Sequence, residues 1–130
     1  MRQLTLIIPA KNESESLPSV LSELEKFECK KSIVVDPSDA GTIKSIENFS
    51  CNIVEQKVTG YGNALIEGIQ SVDTKYFCIF NADGSFDPKD LKKMIDRLED
   101  GEDFIFASRY MKNSGSDDDT LITLFGNFLF

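Results

Sequence analysis

The sequence contains no histidine among its 130 residues. This absence excludes Ser-His-Asp and Cys-His catalysis, histidine-ligated zinc or haem, and the usual side chain that titrates near neutral pH. Basic residues are also scarce, because 14 Lys and Arg stand against 22 Asp and Glu, which gives a net charge of −8. A nucleic-acid-binding protein needs a basic face, so we expect no nucleic-acid partner.

Long apolar runs and paired cysteine motifs are also missing. No run approaches the roughly 18 residues of a membrane span, and the N-terminus has no basic region followed by an apolar stretch and a cleavage site, which argues against export. The three cysteines, Cys29, Cys51 and Cys78, form no CxxC pair. We therefore expect reduced thiols in a cytoplasmic protein, with Cys78 as a small hydrophobic residue in a strand.

Short apolar runs alternate with helical stripes along the chain. The runs predict five strands, at Leu4–Ile8, Ser32–Val35, Asn52–Glu55, Tyr76–Phe80 and Phe104–Ala107. The segments between them predict four helices, which begin near Leu17, Thr42, Gly60 and Pro88. Because the strands are apolar on both faces, we predict an α/β fold with a mostly parallel sheet covered by helices on both sides.

Apolar spacing also predicts which face of each helix is buried. Three stripes stand out, namely Leu17, Val20, Leu21 and Leu24; Leu65, Gly68, Ile69 and Val72; and Leu91, Met94, Ile95 and Leu98. Asp87 followed by Pro88 predicts an N-cap and a proline at the first position of the last helix.

The composition changes after residue 112. Residues 113–119 predict a mobile acidic loop, and an apolar stripe follows at Leu121, Leu124, Phe125, Phe128 and Leu129. We expect residues 1–112 to form the main domain, and 113–130 to hold this loop and the start of an incomplete helix. Uncovered apolar faces mark a partner or a membrane surface, so we expect peripheral membrane contact through 120–130.

Polar residues follow the predicted strands where each strand ends. Ligands of open parallel sheets bind outside the carboxyl ends of the strands. Four segments meet that description, namely Pro9–Glu13, Asp36, Asn81–Ser85 and Ser108–Tyr110. Their convergence on one edge predicts a binding site there.

Each of these residues has a functional and a purely structural interpretation. Asn81 and Asp83 can turn two oxygen-bearing side chains toward one Mg²⁺ or Mn²⁺, or can simply build a turn. Asp36 can accept hydrogen bonds from a nucleobase or ribose, or can form a turn before Pro37. Arg109 can hold a diphosphate bidentately, or can form a surface ion pair. Asn12 and Glu13 can serve as helix caps.

Two familiar nucleotide motifs do not fit the chain. The glycines of Gly60–Ala64, with Gly68 beyond them, follow the third predicted strand rather than the first and lack the full G-x-G-x-x-G pattern, which argues against a nicotinamide site. The P-loop pattern G-x-x-x-x-G-K-[ST] is absent from the sequence.

Taken in order, six segments resemble the catalytic domain of glycosyltransferase family 2, which has the GT-A fold. The nearest similarity is to dolichol- or polyprenyl-phosphate mannosyl- and glucosyltransferases. The matching segments are Leu6–Glu13, Val34–Asp36 leading to Gly41 and Thr42, Gly60–Leu65 with Gly68, Phe80–Phe86 with Pro88, Ala107–Tyr110, and Gly126 with Asn127.

The resemblance implies transfer of a sugar, with inversion, from a nucleotide-diphosphate sugar to an acceptor, a polyprenyl or dolichyl phosphate or a glycan. Asp83 and Arg109 would be the catalytic residues, and the cation would be Mg²⁺ or Mn²⁺. Its ligands would be Asp83, Asn81 and Ser85. Nucleotide contacts would come from Pro9, Ala10, Asn12, Glu13, Asp36, Gly62, Asn81 and Ala82. The family resemblance also implies work in cell-envelope glycan synthesis at the inner face of the membrane.

Three departures from the family pattern leave an alternative open. The usual Asp-Asp-Gly-Ser turn is here Asp36–Asp39, and the usual first Asp of the metal motif is Asn81. We also expect the segment after Asn127 to be short for an acceptor-binding region. The alternative is a truncated or degenerate module that binds a nucleotide sugar without turnover. A nucleotidyltransferase on a similar sheet is less compatible, because the glycine-rich loop after the first strand is absent.

Overall fold

The computed structural model describes residues 1–105. The elements run β1 (Leu4–Ala10), α1 (Leu17–Leu24), β2 (Lys30–Val35), α2 (Ala40–Ser45), β3 (Asn52–Glu55), α3 (Tyr61–Gln70), β4 (Tyr76–Ile79) and α4 (Asp90–Glu99). All strand pairings are parallel, and the strands lie in the order β3-β2-β1-β4. The predicted α/β class, with strands joined through helices, is confirmed.

The core of the sheet is β1, which lies between β2 and β4. Leu6, Ile7 and Ile8 are fully buried, and Ile7 packs with Val34 of β2 and Ala64 of α3. Neither face of this strand is exposed to water, which explains why consecutive residues of the run are apolar. The stripe on α1 is also confirmed, since all four of its leucine and valine side chains are buried.

The strand extends further than the apolar run predicted, through Pro9 and Ala10. The Phe80 amide donates to the Ile7 carbonyl at 2.9 Å, so the next hydrogen bond of this ladder would come from the N–H of residue 9. Proline has no N–H. Pro9 thereby ends the pairing of β1 with β4, and β4 stops at Ile79 rather than at Phe80 as predicted.

Helix α3 packs on the sheet through its smallest residues. Ala64 and Gly68 are buried, whereas Ile69, which the stripe placed on the buried face, is 39% exposed. A Cβ atom at Gly68 would lie 2.5 Å from Ile7 Cγ2 and 3.0 Å from Val34 Cγ2. The larger residues flank the contact because the helix lies too close to the strands for them to fit beneath it.

Strand β4 is less buried than its apolar sequence predicted. Phe77 is 45% exposed, because β4 is an edge strand of the sheet that residues 1–105 form. Burial nevertheless raises the pKa of the Cys78 thiol to about 11, which agrees with its expected role as a small hydrophobic residue. Cys29, Cys51 and Cys78 are all free thiols.

A second compact unit begins at Lys89 and contains α4. Leu91 and Ile95 are buried, as their stripe predicted. The predicted N-cap at Asp87 is wrong, because Pro88 and Lys89 form a turn and the helix begins at Asp90. Helix α2 also differs from its prediction, since it runs from Ala40 to Ser45 rather than from Thr42 to about Phe49.

The predicted fifth strand is wrong at Phe104 and Ile105, which adopt no strand in the structure. Its other two residues, the acidic loop at 113–119 and the apolar stripe at 121–129 lie outside the described residues. Within residues 1–105, no helix combines the length and the apolar composition needed to cross a membrane.

Candidate functional site

The carboxyl ends of β1, β2 and β4 carry the polar residues that the sequence predicted for the site. Strand β1 leads into Asn12 and Glu13, β2 leads into Asp36, and β4 leads into 81–85. After β1 the chain adds β2 and β3 on one side and then returns to place β4 on the other. The site therefore lies at the point where the strand order reverses, the usual position of a ligand crevice in such sheets.

The fourth predicted segment, which includes Arg109, lies outside the described residues. Pro9 and Ala10 are the last two residues of β1, with Pro9 half-buried and Ala10 buried. Ala82 is also buried, beside the exposed side chain of Asp83. Two small residues are thus buried at the site: Ala10 just before the loop after β1, and Ala82 between Asn81 and Asp83.

Asp36 forms a turn with Ser38. Its Oδ1 atom accepts from the Ser38 hydroxyl at 2.6 Å and from the Ser38 amide at 2.9 Å. The hydroxyl bond and then the amide bond hold the pKa of the Asp36 carboxyl below its usual range. The structural interpretation of Asp36 as a turn residue is confirmed, while contact with a nucleotide base stays a prediction.

Asp39 was not among the predicted site residues, yet it joins two loops of the site. Its Oδ2 atom accepts from the backbone amide of Asn12 and from the Thr42 hydroxyl, both at 2.8 Å. The Thr42 hydroxyl in turn accepts from the Glu13 amide at 3.1 Å. The bond from the Asn12 amide is the main reason why the pKa of Asp39 lies below its usual value.

Asp39 also explains where α2 begins. Its Oδ1 atom accepts from the Thr42 amide at 3.3 Å, which makes Asp39 the N-cap of that helix. Aspartate is one of the residues preferred at the N-cap position, so the capping role was visible in the sequence. The contact with Asn12 was not, because 27 positions separate the two residues.

The prediction that Asn12 and Glu13 cap a helix is wrong. Helix α1 has Ser16 at its N-cap position, and Glu13 instead accepts a short hydrogen bond from the Ser16 hydroxyl. Asn12 has φ +54°, a left-handed conformation that asparagine tolerates better than most residues. The loop after β1 is therefore a distinct turn before the helix.

The segment after β4 brings the three predicted metal ligands into one turn. The Asp83 Oδ1 atom accepts from the Ser85 amide at 2.9 Å, and the Asn81 side-chain amide lies 3.3 Å from the Ser85 hydroxyl oxygen, to which it donates. Gly84 adopts φ +80°. The turn is fixed at its base by an edge-to-face contact between Phe80 and Phe86.

The donor atoms of this turn suit a divalent cation only in part. No group of three Asp, Glu, Cys or His residues within 1–105 is arranged to hold a metal. Asp83 is the one carboxylate among the predicted ligands, and Asn81 and Ser85 add neutral oxygens. Magnesium sites with one or two protein carboxylates complete their coordination with substrate phosphates and water, so the residues fit a cation that arrives with a diphosphate.

The helix α3 starts beside this turn and adds an aromatic residue that the sequence interpretation missed. Burial, and then the negative charge of Asp83, raise the pKa of the Tyr61 phenol, which means that Tyr61 lies near Asp83. The sequence gives no signal for this role, because the glycines on either side of Tyr61 dominate the local pattern. At Gly62, a Cβ would meet no atom within 4 Å, so internal packing does not require glycine there.

Comparison with known proteins gives a consistent result. The family model for glycosyl transferase family 2 matches residues 5–129. The chain is 31% identical over 109 residues to an uncharacterized glycosyltransferase of Mycobacterium tuberculosis, covering 82% of this chain and 48% of that protein. It is 24% identical over 113 residues to a dolichyl-phosphate hexose transferase of Haloferax volcanii, covering 85% and 50%.

A dolichol-phosphate mannosyltransferase of Pyrococcus furiosus is 26% identical over 119 residues, which cover 85% of this chain and 34% of that protein. The chain thus spans about half the length of the first relatives that it matches.

Proposed function

Since this chain belongs to glycosyl transferase family 2, we propose that the whole protein transfers a sugar from a nucleotide-diphosphate sugar to a lipid phosphate, with inversion. The observation that carries the proposal is the convergence of the loops after β1, β2 and β4 on the point where the strand order reverses. That edge presents amide, carboxylate and hydroxyl groups together, as a donor with a base, a ribose and a diphosphate requires.

The nucleotide part of the donor would lie against the loops after β1 and β2. Asp36 is half-buried, and its carboxylate can accept hydrogen bonds from a base or a ribose. Asn12 and Glu13 would line the same pocket, and the small residues Ala10 and Ala82 leave room for the ligand. Gly62, which has open space above it, would allow close approach from the side of α3.

The diphosphate would lie near Asp83, and electrostatics indicate that it needs a cation. The hydrogen bonds from Ser38 hold the pKa of Asp36 below its usual range, although the nearby charge of Asp39 opposes that shift. The carboxylates of Asp36, Asp39 and Asp83 at this edge repel a diphosphate. Mg²⁺ or Mn²⁺ would neutralise charge on the departing diphosphate, and Asp83, Asn81 and Ser85 would hold it; Arg109 would bind the phosphates or the acceptor.

A lipid phosphate is the acceptor that this residue set favours. The phosphate is already ionised at neutral pH, so transfer to it needs no strong general base. The printed names of two relatives refer to dolichyl or dolichol phosphate. We propose that the protein works at the cytoplasmic face of a membrane and touches it through 120–130.

A second candidate function is binding of a nucleotide sugar without transfer. It is favoured by one observation, namely that Asp83 is the sole carboxylate among the predicted metal ligands, because Asn81 is neutral. Release of nucleoside diphosphate distinguishes the two. Donor sugar and Mn²⁺ with polyprenyl phosphate should release nucleoside diphosphate much faster than donor and Mn²⁺ alone. Saturable donor binding with no release in either reaction would favour the binding module.

Asp36→Ala is expected to weaken the binding of UDP or GDP, measured by calorimetry with Mn²⁺, by about ten- to a hundredfold. The reason is that a hydrogen bond to a charged group contributes roughly 1.5–3 kcal/mol. Asp36→Asn is the matched control for the turn, because its amide oxygen can still accept from Ser38. Unchanged affinity in Asp36→Ala, together with a lower melting temperature, would show that Asp36 is a turn residue only.

A further inference from the structure

The loop after β1 is held by two side chains that come from the start of α2. We refer to the Asp39 carboxylate, the Thr42 hydroxyl, and the backbone amides of Asn12 and Glu13 that they accept from, as the amide clamp. The three hydrogen bonds of the clamp measure 2.8 Å, 2.8 Å and 3.1 Å. Thr42 is completely buried, so water does not replace its hydroxyl when the hydroxyl is removed.

We infer that Asp39 and Thr42 are positioning residues for the donor nucleotide: they fix the backbone at Asn12 and Glu13 in the conformation that receives it. This inference rests on the proposed function and adds to it two residues that need not touch the ligand. The clamp acts on the loop that follows β1, at the edge where the site lies. Its effect on the ligand is therefore indirect.

Helix capping alone does not account for this arrangement. The capping bond, from the Thr42 amide to Asp39 Oδ1, is the longest of the set at 3.3 Å. One of the shorter bonds, at Asp39 Oδ2, comes from the Asn12 amide in the loop after β1. The Thr42 hydroxyl accepts a further bond from the Glu13 amide of the same loop. A residue whose role was only to begin a six-residue helix would not need to bind the amide of Asn12.

The conformation of Asn12 explains why the loop needs a restraint. At φ +54° the backbone lies in a region that residues other than glycine seldom occupy. Without the clamp, this exposed turn would sample other conformations. A ligand that binds only one conformation then binds more weakly, in proportion to the population of that conformation. A fall of that population to about one tenth would weaken apparent affinity about tenfold.

The chain provides a matched control for the test. Thr5 is also a buried threonine, and its hydroxyl lies 2.6 Å from the Thr74 hydroxyl. It lies on β1 as well, but near the opposite end of the strand from the site. Thr5→Val and Thr42→Val therefore make the same chemical change in similar surroundings, and only Thr42→Val removes part of the clamp.

The experiment measures UDP and GDP binding by calorimetry with Mn²⁺, and amide hydrogen exchange at Asn12 and Glu13. For whichever nucleotide the wild type binds, the affinity of Thr42→Val should be about tenfold lower than that of the wild type. Amide hydrogen exchange at Glu13 should be faster. Thr5→Val should change neither quantity, although it lowers the melting temperature. Thr42→Ser, which keeps the hydroxyl, should restore affinity. Asp39→Asn has a single acceptor oxygen, which cannot keep the bonds at both Oδ1 and Oδ2, so it should also bind the nucleotide more weakly and provides a second variant if Thr42→Val does not fold.

Equal affinities for Thr42→Val and Thr5→Val would overturn the inference while leaving the proposed function intact. Unchanged exchange at Glu13 in Thr42→Val would overturn it as well, because the clamp would then not restrain the loop. A wild-type chain that binds neither UDP nor GDP would instead overturn the proposed function, and this inference with it. Weak binding by Asp39→Asn and Thr42→Val, with rescue by Thr42→Ser, would support it.

Discussion

Asp83→Ala is expected to reduce nucleoside diphosphate release by roughly 100- to 1,000-fold, the usual effect of removing one group that stabilises charge in a transition state. Asp83 supplies the one carboxylate of the turn that holds Asn81 and Ser85. Without it, the turn offers only neutral oxygens to Mn²⁺. Calorimetry should show loss of metal-dependent nucleotide binding in the same variant.

Controls separate the charge of Asp83 from its role in the turn. Asp83→Asn keeps an acceptor for the Ser85 amide, so it should melt near the wild-type temperature yet lose activity as the alanine variant does. Asp73→Ala removes an exposed aspartate that pairs with Lys30, and it should leave release unchanged. Asn81→Asp should strengthen Mn²⁺ binding in the absence of nucleotide. Full metal-dependent affinity in Asp83→Asn would overturn the assignment.

Gly68→Val is expected to lower the free energy of unfolding by about 3 kcal/mol or more, the upper part of the range for overpacked cores. Its first added atom would lie 2.5 Å from Ile7 Cγ2, and Ile7 and Val34 are fully buried, so neither can move aside. For a domain of this size the melting temperature should fall by about 10 °C. Thermal unfolding followed by circular dichroism measures the change.

Gly62→Val is the matched control, since it lies on the same helix with no atom within 4 Å of an added Cβ. Its stability should stay within about 0.5 kcal/mol of wild type, because glycine and valine differ little in helix propensity. Gly68→Ala should lower the free energy of unfolding by a smaller amount, and it replaces Gly68→Val if that variant does not fold. Similar melting temperatures for the Gly68 and Gly62 valine variants would mean that α3 can move away from the sheet.

The sequence predicted the parallel sheet because burial dominates its central strands. Residues Leu6 to Ile8 are apolar and fully buried, so their hydrophobic pattern reports their environment directly. The prediction was weaker for α3, because a stripe of large apolar residues identifies the most apolar face. The face that packs closest to a sheet can carry small residues instead, as Ala64 and Gly68 do.

The layout of the candidate site was predictable where it depends on strand ends and not where it depends on contacts between distant segments. Asn81, Asp83 and Ser85 lie within five positions, and one turn brings them together. The bond from the Asn12 amide to Asp39 joins residues 27 positions apart, and no local pattern predicts it. The proximity of Tyr61 to Asp83 has the same origin, since it follows from how α3 lies on the sheet.

The amide clamp also bears on how a protein of this kind changes over evolutionary time. Asp39 and Thr42 hold the backbone of residues 12 and 13, whatever side chains those two positions carry. Substitutions at 13, and at 12 those by residues that tolerate its positive φ, can therefore alter what the loop presents without altering its shape. If the loop receives the donor as proposed, a lineage can change its donor through these side chains while the backbone of the loop stays the same.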